Sequence, residues 1–406
     1  MRVAVIGGGM AGLSAARALL QGGAEAVVFE AAARAGGVVG SVAERGWLTE
    51  DGPNFLARPM DPLLRACGLA GEVILPQGPK TRFVHFREKV RVAGPGLLFG
   101  LGLGRALLEP FFARPLRADS SVLQLLVDRL GARLGGFAAS VLSAGIYAGD
   151  PSRLSARDAF PALGGMAERG SLLLGAFQRR EKRPIWSLRR GLGSLPEALS
   201  GPHVRLGARV ERIEASQGGW HVQGERFDAL VVAVPACAAA ELLRSLAPAF
   251  ADSAAQIVSR PITVMHLGYT QPGLPRGFGL IDADRSLPAL GTLFPSSMLA
   301  GRAPEGGALF TCICPREVPL EDVQQQLQRT LGARGQPDYV RVVRHEQGIA
   351  QYEVGHRERV RAAREGLLGL PPVQLCGSSW DGVSVPEVWR SGESAAARLL
   401  AAPAAA

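Results

Sequence analysis

Three glycines at fixed spacing, Gly7-x-Gly9-x-x-Gly12, interrupt the run VAVIGGGMAGLSAARALL at residues 3–20. Four apolar residues precede them and an Ala- and Leu-rich stretch follows, so the glycines stand where a buried strand hands over to a helix. Glycine is costly inside regular structure, and here its use has a chemical reason. The first glycine permits a tight turn, the second lets backbone N–H groups approach a pyrophosphate, and the third lets helix and strand pack closely. The helix N-terminus adds free N–H groups and a partial positive charge. Glu30 closes the next strand, AEAVVFE, near the ~20-residue offset expected of a ribose-binding acid. Its carboxylate accepts from both ribose hydroxyls and repels a 2′-phosphate, which argues against NADP. These residues predict a dinucleotide site.

The elements that must position them follow from the apolar pattern. A strand over 2–6, a helix over about 10–22 and a strand over 24–30 make a βαβ opening. Residues 34–56 read as glycine-punctuated loop and strand. Residues 60–200 are largely helical, with helical periodicity in MDPLLRACGL, SSVLQLLVDRLGARL and GSLPEALS. Strand signals return at 203–235, in HVRLGARVERIEA, GWHVQG and FDALVVAVP, and then in PITVMHLGYT and ALFTCICP. The end, VQLCGSSWDGVSVPEVWRSGESAAARLL, reads as strand, loop and helix. The chain is therefore α/β (α+β overall), with three expected units. Residues 1–60, 200–240 and 370–402 form a discontinuous Rossmann-like domain. Residues 61–90, 185–199 and 241–369 form a mixed-sheet substrate domain, and 91–184 a mainly helical one.

Bulk properties narrow the class. With 406 residues, 47% hydrophobic and 20% charged, the chain is globular and exceeds one compact core. The net charge of +9 is carried almost wholly by Arg. The arginines form no run with interleaved aromatics, so nucleic acid is not an expected partner; an anionic membrane surface or a carboxylate-bearing substrate remains open. Cys67, Cys237, Cys312, Cys314 and Cys376 are odd in number and contain no CxxC pair. They read as reduced thiols of a cytosolic protein, with no metal site expected. The N-terminal apolar run is used by the glycine turn, so no signal peptide is expected.

Arg34 follows Glu30 by four residues and precedes Gly36-Gly37. This E-x3-R-x-G-G pattern resembles the second fingerprint of the FAD-containing amine oxidase superfamily, although Val38 stands where many members carry Arg. TEDGPNFL (49–56) follows where that superfamily passes the isoalloxazine ring. SAGIYAGDPSRLSARDAFPAL (143–163) closely resembles the signature of protoporphyrinogen oxidases and their coproporphyrinogen-oxidising relatives. ERGSLLLG (168–175), SLRRGLGSLPEAL (187–199), QYEVGHRER (351–359) and GVSVPEVWRSGESAA (382–396) match in order. The chain departs from that pattern by a shortened 260–345 region, by Ala350 in place of a proline and by Ser120 in place of an acid.

The resemblance implies FAD as cofactor, held by Gly7, Gly9, Gly12, Glu30, Arg34, Gly36 and Gly37. It adds the backbone of Val210 in an ARVERI strand against adenine. Gly382, Val383 and Val385 would form a loop and helix start against the flavin pyrimidine. The implied substrate is a porphyrinogen, flat and apolar with carboxylate arms. Arg58 is its expected anchor, and Gly145, Tyr147 and Gly149 are expected to line the cleft. The flavin takes hydride at N5 and dioxygen reoxidises it, so no catalytic side chain is assigned. Protoporphyrinogen IX leads, coproporphyrinogen III is second. An amine oxidase or carotenoid desaturase, or a silent tetrapyrrole-binding flavoprotein, are the rivals. GPGLLFGLGLGRALLEPFF (94–112) is too broken by glycines and Arg105 to span a bilayer; it reads as an interfacial patch. The expected location is the cytoplasm, peripheral at the inner face of the cell membrane, with a homodimer open.

Overall fold

A computed structural model of the chain describes residues 1–57, 60–178 and 184–401. The strand Arg2–Ile6 lies at the centre of a five-stranded sheet, ordered Val373–Leu375, Ala229–Val232, Arg2–Ile6, Glu25–Phe29, Val204–Arg205. Every neighbouring pair is parallel. A central parallel strand is buried on both faces, which is why Val3 to Ile6 are uninterruptedly apolar. Val3 and Val5 face the helices Met10–Gln21 and Val385–Ala401. Ala4 and Ile6 face the helices Ala236–Leu243 and Pro248–Ala255 and a three-stranded antiparallel sheet carrying Trp220 and Phe227.

The second sheet has seven strands, ordered Tyr339–Ala350, Ser259–Tyr269, Ala308–Cys314, Gly291–Leu293, Gly279–Asp282, Arg82–Phe86, Lys89–Val92. It is mixed, because Gly279–Asp282 runs parallel to Arg82–Phe86 while the other pairs are antiparallel. Helix Leu320–Leu331 packs Val323 and Leu327 on Met265, Leu267 and Phe310 of one face. On the other face, Ala144 and Ala148 meet Ile262 and Val264.

Seven helices between Pro95 and Gln178 make the helical part. Buried Glu109 ties them together, accepting from Ser171 Oγ (2.5 Å) and the Leu172 N–H (2.9 Å), with Arg129 at 3.5 Å. The apolar run 94–112 folds as three short helices, Pro95–Gly100, Leu103–Leu107 and Glu109–Phe112, the first two parted by the left-handed Gly102 (φ 94°). No helix among the described residues is long and apolar enough to cross a membrane.

The domain boundaries differ from the expected ones. Residues 241–257 and helix His356–Glu365 pack with the parallel sheet, because Leu243, Phe250, Val360 and Ala363 join the Trp220 and Leu230 core. Helix Asp61–Ala66 goes the same way, through Leu63 and Leu64 against Leu13 and Trp389.

Candidate active site

The glycine turn has three geometries for its three glycines. Gly7 is left-handed (φ 104°), and a Cβ there would lie 2.7 Å from the Ala233 carbonyl oxygen. A Cβ on Gly12 would lie 1.9 Å from the Gly7 oxygen, so helix and strand touch at that point. Gly9 instead faces open space. It caps helix Met10–Gln21 with no side-chain hydrogen bond, and the first internal bond runs from Leu13 N–H to Gly9 O (2.9 Å). The N–H groups of Ala11 and Gly12 have no partner among the described residues, while Gly9 is bridged in parallel to Gly36. Such a terminus is an anion site.

Glu30 fixes the turn from the second strand. Its carboxylate accepts from Gly8 N–H and Ala32 N–H, both at 2.7 Å. The second glycine loop is laid against the first by Gly36 N–H to Gly8 O (2.8 Å). A Cβ on Gly37 would sit 3.3 Å from Gly9 Cα. Arg34 holds this loop from within. It donates to the carbonyls of Ala35, Gly37 and Val39 at 3.0–3.1 Å and to Asp51.

Val210 is not in a strand. The ARVERI segment becomes regular only at Ile213, because Gly207 and Ala208 spend their N–H groups on Ala32 O (2.9 Å) and Glu30 O (2.8 Å). That bend brings the segment alongside Glu30. The N–H and C=O of Val210 have no partner among the described residues, and so are available to a ligand edge.

The last helix supplies a second N-terminus. Glu387 reaches back over the start of this helix: Ser384 Oγ (2.7 Å) and N–H (3.3 Å) both donate to Glu387 Oε2. Gly382 is left-handed (φ 120°), and its N–H donates to Tyr352 Oη (2.6 Å). Val383 packs on the helical part and Val385 opens the helix, buried beside Trp389. The N–H groups of Val383 and Val385 have no partner among the described residues. Ser14 Oγ donates to Trp389 O (2.6 Å), and Met10 and Leu13 share a core with Val385. The two helices thus bring their N-terminal ends to one place.

Two acidic residues that the sequence reading did not single out join this place to the second sheet. Asp51 accepts from Arg34 and from Arg341 of the strand Tyr339–Ala350, and its carbonyl oxygen meets His345 Nε2 at 2.8 Å. Glu50 is buried, accepting from Ser41 and from Leu192 N–H (3.1 Å), with Arg302 at 3.6 Å. Burial pushes its pKa up to about 7. The only sequence signal is the Glu-Asp pair ahead of Gly52-Pro53; Arg34 is near in the chain, but Arg302 and Arg341 lie hundreds of residues away.

The expected cleft residues separate. Gly145 is exposed, facing Ile281. Tyr147 is buried instead, its hydroxyl donating to Ala159 O (3.0 Å) and its ring against Phe160 and Tyr352. Gly149 is also buried, where a Cβ would strike Gln351 Oε1 at 2.2 Å. Packing, not an open surface, requires those two. Arg58 lies outside the described residues. No group of His, Cys, Asp and Glu that could hold a metal ion occurs among the described residues.

Residues 10–400 match the model of the family described as flavin containing amine oxidoreductase. The chain belongs to that family. It is an FAD-dependent oxidoreductase, and the open face of Gly9, the unpaired N–H groups of both helix ends and the Val210 backbone fit the cofactor. Among curated relatives of this family member, protoporphyrinogen oxidase of Homo sapiens is 28% identical over 473 residues, covering 98% of each chain. The chloroplastic protoporphyrinogen oxidase of Nicotiana tabacum is 28% identical over 454 residues, 94% of this chain and 82% of that one. A solved structure from Exiguobacterium sp. 255-15, a protein proposed to be a protoporphyrinogen oxidase, superposes with a TM-score of 0.87 at 22% identity, covering 98% of both chains.

Proposed function

We propose that this enzyme oxidises protoporphyrinogen IX to protoporphyrin IX in haem biosynthesis. The observation that carries this reading is where SAGIYAGDPSRLSARDAFPAL lies. Tyr147 of that segment packs its ring on Tyr352, whose hydroxyl takes the Gly382 N–H of the flavin loop. The stretch that most resembles porphyrinogen oxidases is thus linked through Tyr352 to the loop read here as flavin-binding, and the near full-length likeness to the human and tobacco enzymes supports the same substrate class.

When bound, FAD supplies a hydride acceptor at N5 that dioxygen reoxidises, releasing hydrogen peroxide. The chain's own part is binding and orientation. The two helix N-termini stabilise negative charge on the pyrophosphate and at the pyrimidine edge.

We also infer peripheral contact with an anionic membrane at its cytoplasmic face. Phe99, Phe111 and Phe177 are 69%, 86% and 79% exposed, beside exposed Leu107, Leu108 and Leu174. A patch of this kind lies in an interface rather than across it.

The test is porphyrin fluorescence growth in air from protoporphyrinogen IX and coproporphyrinogen III in parallel, on protein with a flavin spectrum. Faster growth than the autoxidation blank on the first substrate supports the reading. Growth on the second alone moves the enzyme to the coproporphyrinogen branch, and growth on neither overturns the oxidase assignment.

A further inference from the structure

Asp51 spends every polar group it has. Its N–H donates to Gly40 O (2.7 Å). Its carbonyl oxygen meets His345 Nε2 (2.8 Å); a carbonyl only accepts, so that nitrogen carries the hydrogen. Its carboxylate accepts from Arg34 on one oxygen and from Arg341 on the other. The residue is 4% exposed, so these partners satisfy it in place of water.

The two sides of this junction belong to different sheets. Arg34 stands on the cofactor side. It also holds the carbonyls of Gly37 and Val39, and that loop lies on the glycine turn through the Gly9–Gly36 bridge and the bond from Gly36 N–H to Gly8 O (2.8 Å). Arg341 and His345 stand on the other side. With Val343 they alternate onto one face of the strand Tyr339–Ala350, opposite His266, Val264 and Ile262. This is the face on which Ile262 and Val264 meet Ala144 and Ala148. Asp51 spans Arg341 to His345 across it, carboxylate at one end and carbonyl at the other.

Two bare residues let the junction close. A Cβ on Gly40 would lie 2.2 Å from Asp51 Oδ2 and 2.7 Å from Arg34 Cζ. A Cβ on Gly52 would lie 2.5 Å from Val38 O.

We propose that Asp51 is a positioning residue for FAD, and that Arg341, on a sheet that contributes nothing to the glycine turn, sets through it how tightly the cofactor is held. A long, half-exposed arginine such as Arg34 keeps several rotamers open. A buried carboxylate fixed from behind by a second guanidinium leaves it one. Charge alone works in the opposite direction. A carboxylate on the cofactor side repels a pyrophosphate, so loss of its charge without loss of position would tighten FAD binding. The inference holds whichever substrate the enzyme takes.

The test is FAD release from the loaded full chain, read as the gain in flavin fluorescence on dilution. The variants are Asp51→Asn, Arg341→Gln, Arg341→Lys, Gly40→Ala and Arg344→Gln, each checked for wild-type folding by far-UV circular dichroism. Arg344 is the control, because it is exposed on the same strand, turned to the other face and paired with Glu317 (2.8 Å). Asp51→Asn and Arg341→Gln are each expected to release FAD about tenfold faster, the scale of one lost charged hydrogen bond. Their double variant stays near tenfold, because both act through one contact. Arg341→Lys recovers part of the loss. Gly40→Ala changes no charge and also speeds release, whereas Arg344→Gln does not. Slower release from Asp51→Asn would show that its charge acts and its position does not, which overturns the proposal. Wild-type release from Arg341→Gln overturns it too, as do equal effects of Arg341→Gln and Arg344→Gln or a double variant near a hundredfold. If Asp51→Asn does not fold, Gly40→Ala and the comparison of Arg341→Gln with Arg344→Gln decide by the same readout.

Discussion

Arg302 approaches Glu50 to 3.6 Å where water reaches neither side chain. Arg302 also donates to Ser187 Oγ and Leu188 O, both at 2.9 Å, so the pair fastens the second sheet's loop to the strand beside the cofactor loop. Removing the cation strands a buried carboxylate, whereas removing both charges does not. Arg302→Met is expected to cost about 3–5 kcal/mol in urea unfolding, because Glu50 stays buried without its cation. The double variant Glu50→Gln/Arg302→Met costs less than the sum of the singles. Additive losses would show that the pair does not act as a unit.

His356 stacks on Tyr352 at 3.8 Å, with both ring nitrogens buried and without partners. Burial lowers its pKa from 6.5 to about 4. The unfolded chain takes up this proton near the ordinary value and the folded chain only near the lower one. Stability is therefore complete above the ordinary value and falls as pH drops toward the lower one. His356→Phe keeps the stacking and is expected to flatten that acid slope by up to about 1.4 kcal/mol per pH unit. Thermal unfolding between pH 7 and 4 checks it, and an unaltered slope would contradict the buried neutral histidine.

Gly9 and Gly12 differ in what a methyl group would meet. Gly12→Ala collides with the Gly7 backbone and is expected to lose the folded state with or without cofactor. Gly9→Ala meets only open space, so its apo stability stays within about 1 kcal/mol, the helix-cap cost, while FAD occupancy falls. Flavin absorbance on purified protein and apo melting separate the two. Full flavin content in Gly9→Ala would show that the pyrophosphate lies elsewhere.

Helix Glu109–Phe112 packs on helix Leu172–Gln178, which brings Phe111 and Phe177 to one region. Burying each phenyl ring in an interface is worth about 1.5–3 kcal/mol. Phe111→Ser/Phe177→Ser is expected to lower binding to anionic vesicles at least tenfold, with turnover of a detergent-dispersed substrate unchanged. Vesicle sedimentation reads this, and retained binding would place the contact on another face.

The opening strand, helix and strand are legible because each is local. Their apolar runs and glycines lie within thirty residues, and they fold as Arg2–Ile6, Met10–Gln21 and Glu25–Phe29. What the sequence hides is pairing over distance. The resemblance makes Arg34 an FAD contact, and its guanidinium is taken by three carbonyls of its own loop and by Asp51. The resemblance puts Val210 in a strand, but the N–H groups of Gly207 and Ala208 just before it go to Ala32 and Glu30. The helices 236–255 carry apolar faces that fit either sheet, and only tertiary packing assigns them to the parallel one. Arg341 carries no local mark at all; its pairing with Asp51 exists only in three dimensions.

The innermost strand of the parallel sheet comes from the start of the chain, yet its neighbours include Ala229–Val232, and residues 385–401 cover its helix. Gly392 must be bare because a methyl there would lie 2.2 Å from the Ala11 oxygen. The glycine turn and the helix that covers it thus stand hundreds of residues apart in the chain. Contacts so distant form late. A chain cut before residue 385 therefore keeps the glycine fingerprint but loses the helix that packs on Met10–Gln21.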